Sequence, residues 1–137
     1  MIAYQPIAEA GPLPDGVVSA PFKCVVVIES EVSLARQSEI SCWLVEAGCL
    51  YMMAWGPGCS SWDDSVDWAN LEKFDFNEVP DEKFVLTTWH ESEPLQEVFE
   101  FSKFSAMHPT AEMQDTLILH INGKDKAQEF TRMIQNA

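Results

Sequence analysis

The sequence predicts an α/β fold: a three-layer sandwich with a mostly parallel four-stranded sheet and helices on both faces. Three observations carry this. Apolar runs without polar alternation, such as Phe22–Glu29 and Cys49–Trp55, describe strands covered on both sides. Stretches with helical apolar spacing stand between them. Strand and helix then alternate four times, the pattern of a parallel sheet with right-handed crossovers.

Residues 1–21 carry Pro6, Pro12, Pro14 and Pro21 and read as an extended arm over the domain. Ile2, Tyr4, Ile7, Leu13, Val17 and Val18 make it too apolar for a free linker. The domain proper spans 22–137. Phe22–Glu29 is the first strand. Val32–Ala47 places Ala35, Ile40, Trp43, Leu44 and Ala47 on one helical stripe, and Gly48 is suited to cap it. Cys49–Trp55 is the second strand, broken by Gly56-Pro57-Gly58. Ser61 is placed to cap a helix running to about Phe74, with Asp63 and Asp64 at the positive end of its dipole. Asp75–Lys83 reads as a loop and Phe84–Trp89 as the third strand. A helix from Pro94 ends at His108, because Pro109 follows. Thr116–Ile121 is the fourth strand, and Lys124–Gln135 the last helix, with Ala127, Phe130 and Ile134 inward.

A chain of 137 residues is one domain. Its apolar fraction of 47 % supports a packed core despite a formal charge of −14. That charge argues against nucleic acid and anionic membrane surfaces, which require a Lys/Arg stripe. The eight basic residues are scattered, and no apolar run approaches the roughly 20 residues of a membrane span. Nothing in Met1–Pro14 resembles a secretion signal, so a cytoplasmic location is expected. There Cys24, Cys42, Cys49 and Cys59 stay reduced, and no Cys-x-x-Cys is present. Met52 and Met53 belong to a strand and to the core.

Open parallel sheets bind ligands beyond the carboxyl ends of their strands. Those ends gather Trp55, Cys59, Asp63, Asp64, His90, Glu91 and His120, which form the candidate ligand pocket. Cys59, His90, His120 and a carboxylate are zinc-ligand types, but they come from separate loops with no local spacing, so no metal is expected. A Cys59–histidine nucleophile pair is opposed by the charges of Asp63 and Asp64, and no Gly-x-Ser-x-Gly elbow is present. Gly56–Ser61 opens a helix as an anion loop does, yet has no basic residue near it and matches no phosphate-binding pattern. No cofactor is expected.

Charge is the remaining feature. Between Cys59 and Glu100 twelve acids oppose only Lys73 and Lys83, a net of −10, with tryptophan and phenylalanine interleaved. Solvated acidic helix faces account for much of this. Trp62, Asp67, Trp68, Glu72 and Asp75 are the residues expected to meet a basic protein partner, through aromatic anchors and acidic steering. Phe99, Phe101 and Phe104 belong to the core or to a homodimer face.

The segment Trp55-Gly56-x-x-Cys59-Ser60-Ser61-Trp62-Asp63-Asp64, with Thr87-Thr88-Trp89-His90-Glu91 and Leu117-Ile118-Leu119-His120, resembles a small bacterial family of uncharacterised single-domain proteins. The similarity covers nearly all of the chain after Pro21. It implies a bacterial cytoplasmic protein and assigns no activity or catalytic residue. The expectation is an acidic protein-binding module of immunity or inhibitor type that covers a basic partner. The alternative is a small enzyme or ligand-binding domain, with its site at the carboxyl edge of the sheet.

Overall fold

The computed structural model describes residues 1–137. Two strands come first, and from the second onward strand and helix alternate: β1 (Ile2–Ile7), β2 (Phe22–Ile28), α1 (Leu34–Ala47), β3 (Cys49–Trp55), α2 (Trp62–Lys73), β4 (Leu86–His90), α3 (Leu95–Phe104), β5 (Asp115–Ile121) and α4 (Ala127–Gln135). The sheet is wholly parallel, in the order β1-β5-β2-β3-β4. α1 and α2 cover one face through Ile40, Leu44, Trp62 and Val66. α3 and α4 cover the other through Val98, Phe99, Phe130 and Ile134. The three-layer sandwich follows from strands whose alternate side chains all need cover. In β2, Cys24 and Val26 face the first layer, and Val25 and Val27 the second.

The strand count is five, not four. The additional strand is β1, which lies within the segment expected to be an extended arm. It pairs with β5 from Ile2↔Thr116 to Ile7↔Ile121 and forms one edge of the sheet. Gln5 and Pro6 interrupt its apolar run, because an edge strand needs a full partner on one side only. Residues 8–21 then continue without regular structure, tied down by Arg36. Its guanidinium donates to the carbonyls of Ala8 (3.0 Å) and Gly11 (2.9 Å).

Element ends differ from expectation for local reasons. Ser33 caps α1 by accepting from Arg36 N–H, and Gly48 closes it in the left-handed region (φ 100°). β4 begins at Leu86 because the side chain of Asn70 takes over Val85 N–H and the Lys83 carbonyl. α3 stops at Phe104, where the Ser105 and Ala106 N–H groups both turn back to the Phe101 carbonyl. α4 starts at Ala127, whose N–H is accepted by Asp125.

Candidate functional site

The residues expected to form one pocket separate into three groups. The cause is strand order combined with side-chain parity. Register places His120, Val27, Trp55 and His90 in one row across β5, β2, β3 and β4. Register partners share a face, here the one covered by α3 and α4. His120 meets Phe130 edge-on at 4.9 Å, and His90 meets Phe101 at 5.1 Å. Three strand spacings, about 14 Å, lie between the two histidines. Cys59 and the first turn of α2 belong to the opposite layer.

The first group surrounds His120, whose ring is fully buried. Its Nε2–H donates to Glu29 Oε1 at 2.8 Å. That leaves Nδ1 to accept from the Tyr4 hydroxyl at 2.6 Å. The Tyr4 oxygen in turn accepts Lys126 N–H at 3.2 Å, while Lys126 Nζ lies 3.4 Å from Glu29 Oε1. The chain of contacts closes on itself through Lys126. His120 holds Glu29 below the usual carboxylate range, with Lys126 adding to the effect against partial desolvation. Gly123 lies directly against the His120 ring, where any Cβ would overlap Nε2. This is the topological switch point between β2 and β5, where such sheets leave a crevice. Here the chain fills that crevice with its own side chains. What remains is an open concavity bordered by Pro6–Glu9, Ser30 and Asn122.

The second group lies at the ends of β3 and β4. His90 donates from Nδ1 to Glu93 Oε2 (2.8 Å) and accepts at Nε2 from the Thr88 hydroxyl (2.9 Å), so both ring nitrogens are engaged. The Trp55 indole N–H donates to the Glu93 carbonyl at 2.7 Å. Cys59 is buried beside the His90 backbone. Burial raises its thiol pKa, with the charge of Glu91 adding, against hydrogen bonds from the His90 and Gly56 backbone. The opposing charge is therefore Glu91, where the sequence pointed to Asp63 and Asp64. Trp55, Cys59, Glu91 and Glu93 border an open concavity of about 650 Å³. Gly56 (φ 115°) also borders it, at a place where a Cβ would overlap the Ile28 carbonyl. Glu93 was outside the expected pocket. Its position three residues beyond His90, at a strand end, was the available signal.

The third group lies on α2, with Asp64 and Asp67 exposed and Asp63 half-buried. The carboxylates of Asp63, Asp64 and Asp67 lie within 4.8 Å of one another. Partial desolvation of its carboxylate raises the Asp67 pKa, and the charges of Asp63 and Asp64 add to this; a hydrogen bond from Thr87 opposes it. The expected cap at Ser61 is not made. Its hydroxyl donates to the Gly58 carbonyl (3.0 Å), because Cys59–Ser61 forms a short 3₁₀ turn that leads into the helix. The zinc set of Cys59, His90, His120 and a carboxylate does not assemble.

Among the residues expected to contact a partner, Trp62 is corrected. It is 1 % exposed and packs under α2 in the first core layer. Trp68 is 61 % exposed, and Asp67, Glu72 and Asp75 are exposed with it. Phe76, one of the aromatic residues interleaved with the acids, is 54 % exposed and meets Trp68 edge-on at 5.0 Å. Asp75 (φ 53°) and Phe76 (φ 58°) are consecutive non-glycine residues in the left-handed region. That conformation turns the chain at the carboxyl end of α2 and carries strain. Met52, Met53 and Phe99 are fully buried, and Phe104 is exposed.

No helix is long and apolar enough to cross a membrane. Residues 2–137 match a family described as a domain of unknown function (DUF7684). No curated protein and no solved structure matches the chain.

Proposed function

The chain belongs to this domain family of unknown function, and on that premise we propose that it is an acidic protein-binding module that engages a basic partner through the outer face of α2. An inhibitor or immunity-type protein that covers a cationic enzyme is the kind of molecule this describes. The observation that carries the reading is the exposed Trp68–Phe76 pair, set among Asp64, Asp67, Glu72 and Asp75. Two aromatic rings left in water at the cost of a strained turn are suited to anchor a partner. The surrounding carboxylates speed encounter with a basic surface and repel acidic ones.

Affinity capture from the native lysate tests this, with wild type and Trp68→Ala run in parallel at low and high salt. A basic protein retained by the wild type, released by salt and lost with Trp68→Ala is the expected result. The absence of any salt-sensitive complex would sink the reading.

The alternative of a ligand-binding domain or small enzyme has one observation in its favour, the concavity at Trp55, Glu91 and Glu93. Against it stand the engaged nitrogens of His90 and His120 and the raised thiol of Cys59. His90→Ala distinguishes the two. Partner capture survives it under the leading reading, whereas a ligand held at β3 and β4 would be lost.

A further inference from the structure

The two edges of the sheet are not alike. β1 contains Pro6, which has no N–H to offer, and the Gln5 side chain donates to the Pro6 carbonyl at 2.8 Å. Its outer edge is thereby blunted. β4, Leu-Thr-Thr-Trp-His, holds no proline, glycine, lysine or bulge. The chain's own backbone pairs Leu86–His90 with β3 alone. In a parallel pair, alternate residues direct their N–H and C=O groups away from the neighbour, so β4 presents a row of unused backbone groups. Proteins usually guard such an edge with proline or lysine.

The surroundings of that edge are acidic. Thr87 donates to Asp67, which links β4 to the Asp63–Asp64–Asp67 carboxylates on one face. Glu91 and Glu93 follow the strand at its carboxyl end. Trp89, 47 % exposed, lies on the same strand face as Thr87. The two lysines of the acidic stretch, Lys73 and Lys83, both border the concavity beside Leu50 and Val85, near the opposite end of the sheet. No lysine or arginine of this chain lies within ion-pair distance of Asp63, Asp64, Asp67, Glu91 or Glu93.

We infer that the free edge of β4 accepts an extended, basic segment of the partner protein as a sixth strand. This rests on the acidic-module reading and adds the backbone conformation of what is bound. Every second side chain of the added strand falls on the α2 face, where Lys or Arg meets Asp63, Asp64 and Asp67, and Arg can lie over Trp89. A second copy of this chain is the other occupant an open edge invites. Edge-to-edge pairing would bring two chains of charge −14 and two identical acid clusters together. Charge therefore selects a basic strand over self-association.

The test uses the full chain and a short synthetic peptide that alternates arginine and valine. Two further versions carry N-methyl groups on one or the other alternate set of backbone amides, with charge unchanged. Amide chemical shifts and tryptophan fluorescence report binding. The unmodified peptide is expected to shift the Leu86–His90 amides. Methylating one set should weaken binding by about tenfold or more, and methylating the other should be tolerated, because only one set faces the sheet edge. Trp89→Lys, with its fold checked by circular dichroism, should lose the peptide.

Equal binding of all three peptides would overturn strand addition and leave the acidic-surface reading standing. Binding by none of them at low salt would overturn it too, while the lysate capture judges that reading separately. Peptide-free dimers whose perturbed amides lie in β4 would replace the basic strand with a second copy.

Discussion

Tyr4, Glu29, His120 and Lys126 form a polar knot at the carboxyl ends of β5 and β2, and each depends on the others for its hydrogen bonds. Tyr4→Phe removes the only donor to His120 Nδ1 and leaves that buried nitrogen unpaired. The expected loss is about 1–3 kcal/mol of folding stability, measured by urea denaturation. A loss near zero would mean that the ring re-pairs elsewhere. Glu29 sets the sign of a pH effect. Its folded pKa lies below the unfolded value, so its contribution is present above the ordinary glutamate pKa of 4.5 and fades as pH falls through the folded value. Thermal melts of wild type and Glu29→Gln across an acid series should converge as the pH is lowered. This knot was half legible in the sequence. The end of the last strand exposed His120 as a candidate, and alternation with Leu117, Leu119 and Ile121 contains its face. Strand order does not appear in one sequence, so neither its distance from His90 nor its pairing with Tyr4 could be read.

Two tryptophans six residues apart on α2 show how an element divides its residues between core and surface. Trp62 closes the first core layer at the start of the helix, and Trp68 stands in solvent with Phe76. Trp62→Ala should cost about 3–5 kcal/mol, whereas Trp68→Ala should change stability by less than about 1 kcal/mol. Urea midpoints at unchanged slope check both, and a large loss with Trp68→Ala would mean that the exposed pair is a structural brace. The strands and helices flanked by continuous apolar runs were legible because burial on both sides leaves an unbroken pattern. β1 was not, since Ile-Ala-Tyr-Gln-Pro-Ile shows neither an unbroken run nor strict alternation. α2 lay where its acids and apolar spacing placed it. Its first turn is held by the 3₁₀ segment before it instead of by Ser61, because that hydroxyl is already committed to Gly58.

At the scale of the whole molecule, electrostatics acts in two opposite directions. Of 22 acidic side chains, only Glu29, Glu39, Glu46 and Asp115 lie within ion-pair distance of a lysine, an arginine or the N-terminal amine. The remaining carboxylates repel one another, most of all around Asp63, Asp64 and Asp67. Folding concentrates that repulsion, which is screened over about 10 Å at 0.1 M salt. Added sodium chloride should therefore raise the melting temperature of the isolated protein. The same screening weakens attraction to a basic partner, so the complex should dissociate over the salt range in which the free protein gains stability. Calorimetric melts and equilibrium binding on one salt series test both signs together. If stability rises and binding holds constant, the contact is apolar, centred on Trp68 and Phe76, with the carboxylates serving only solubility. If binding falls while stability rises, the acids that strain the fold are the ones that select the partner.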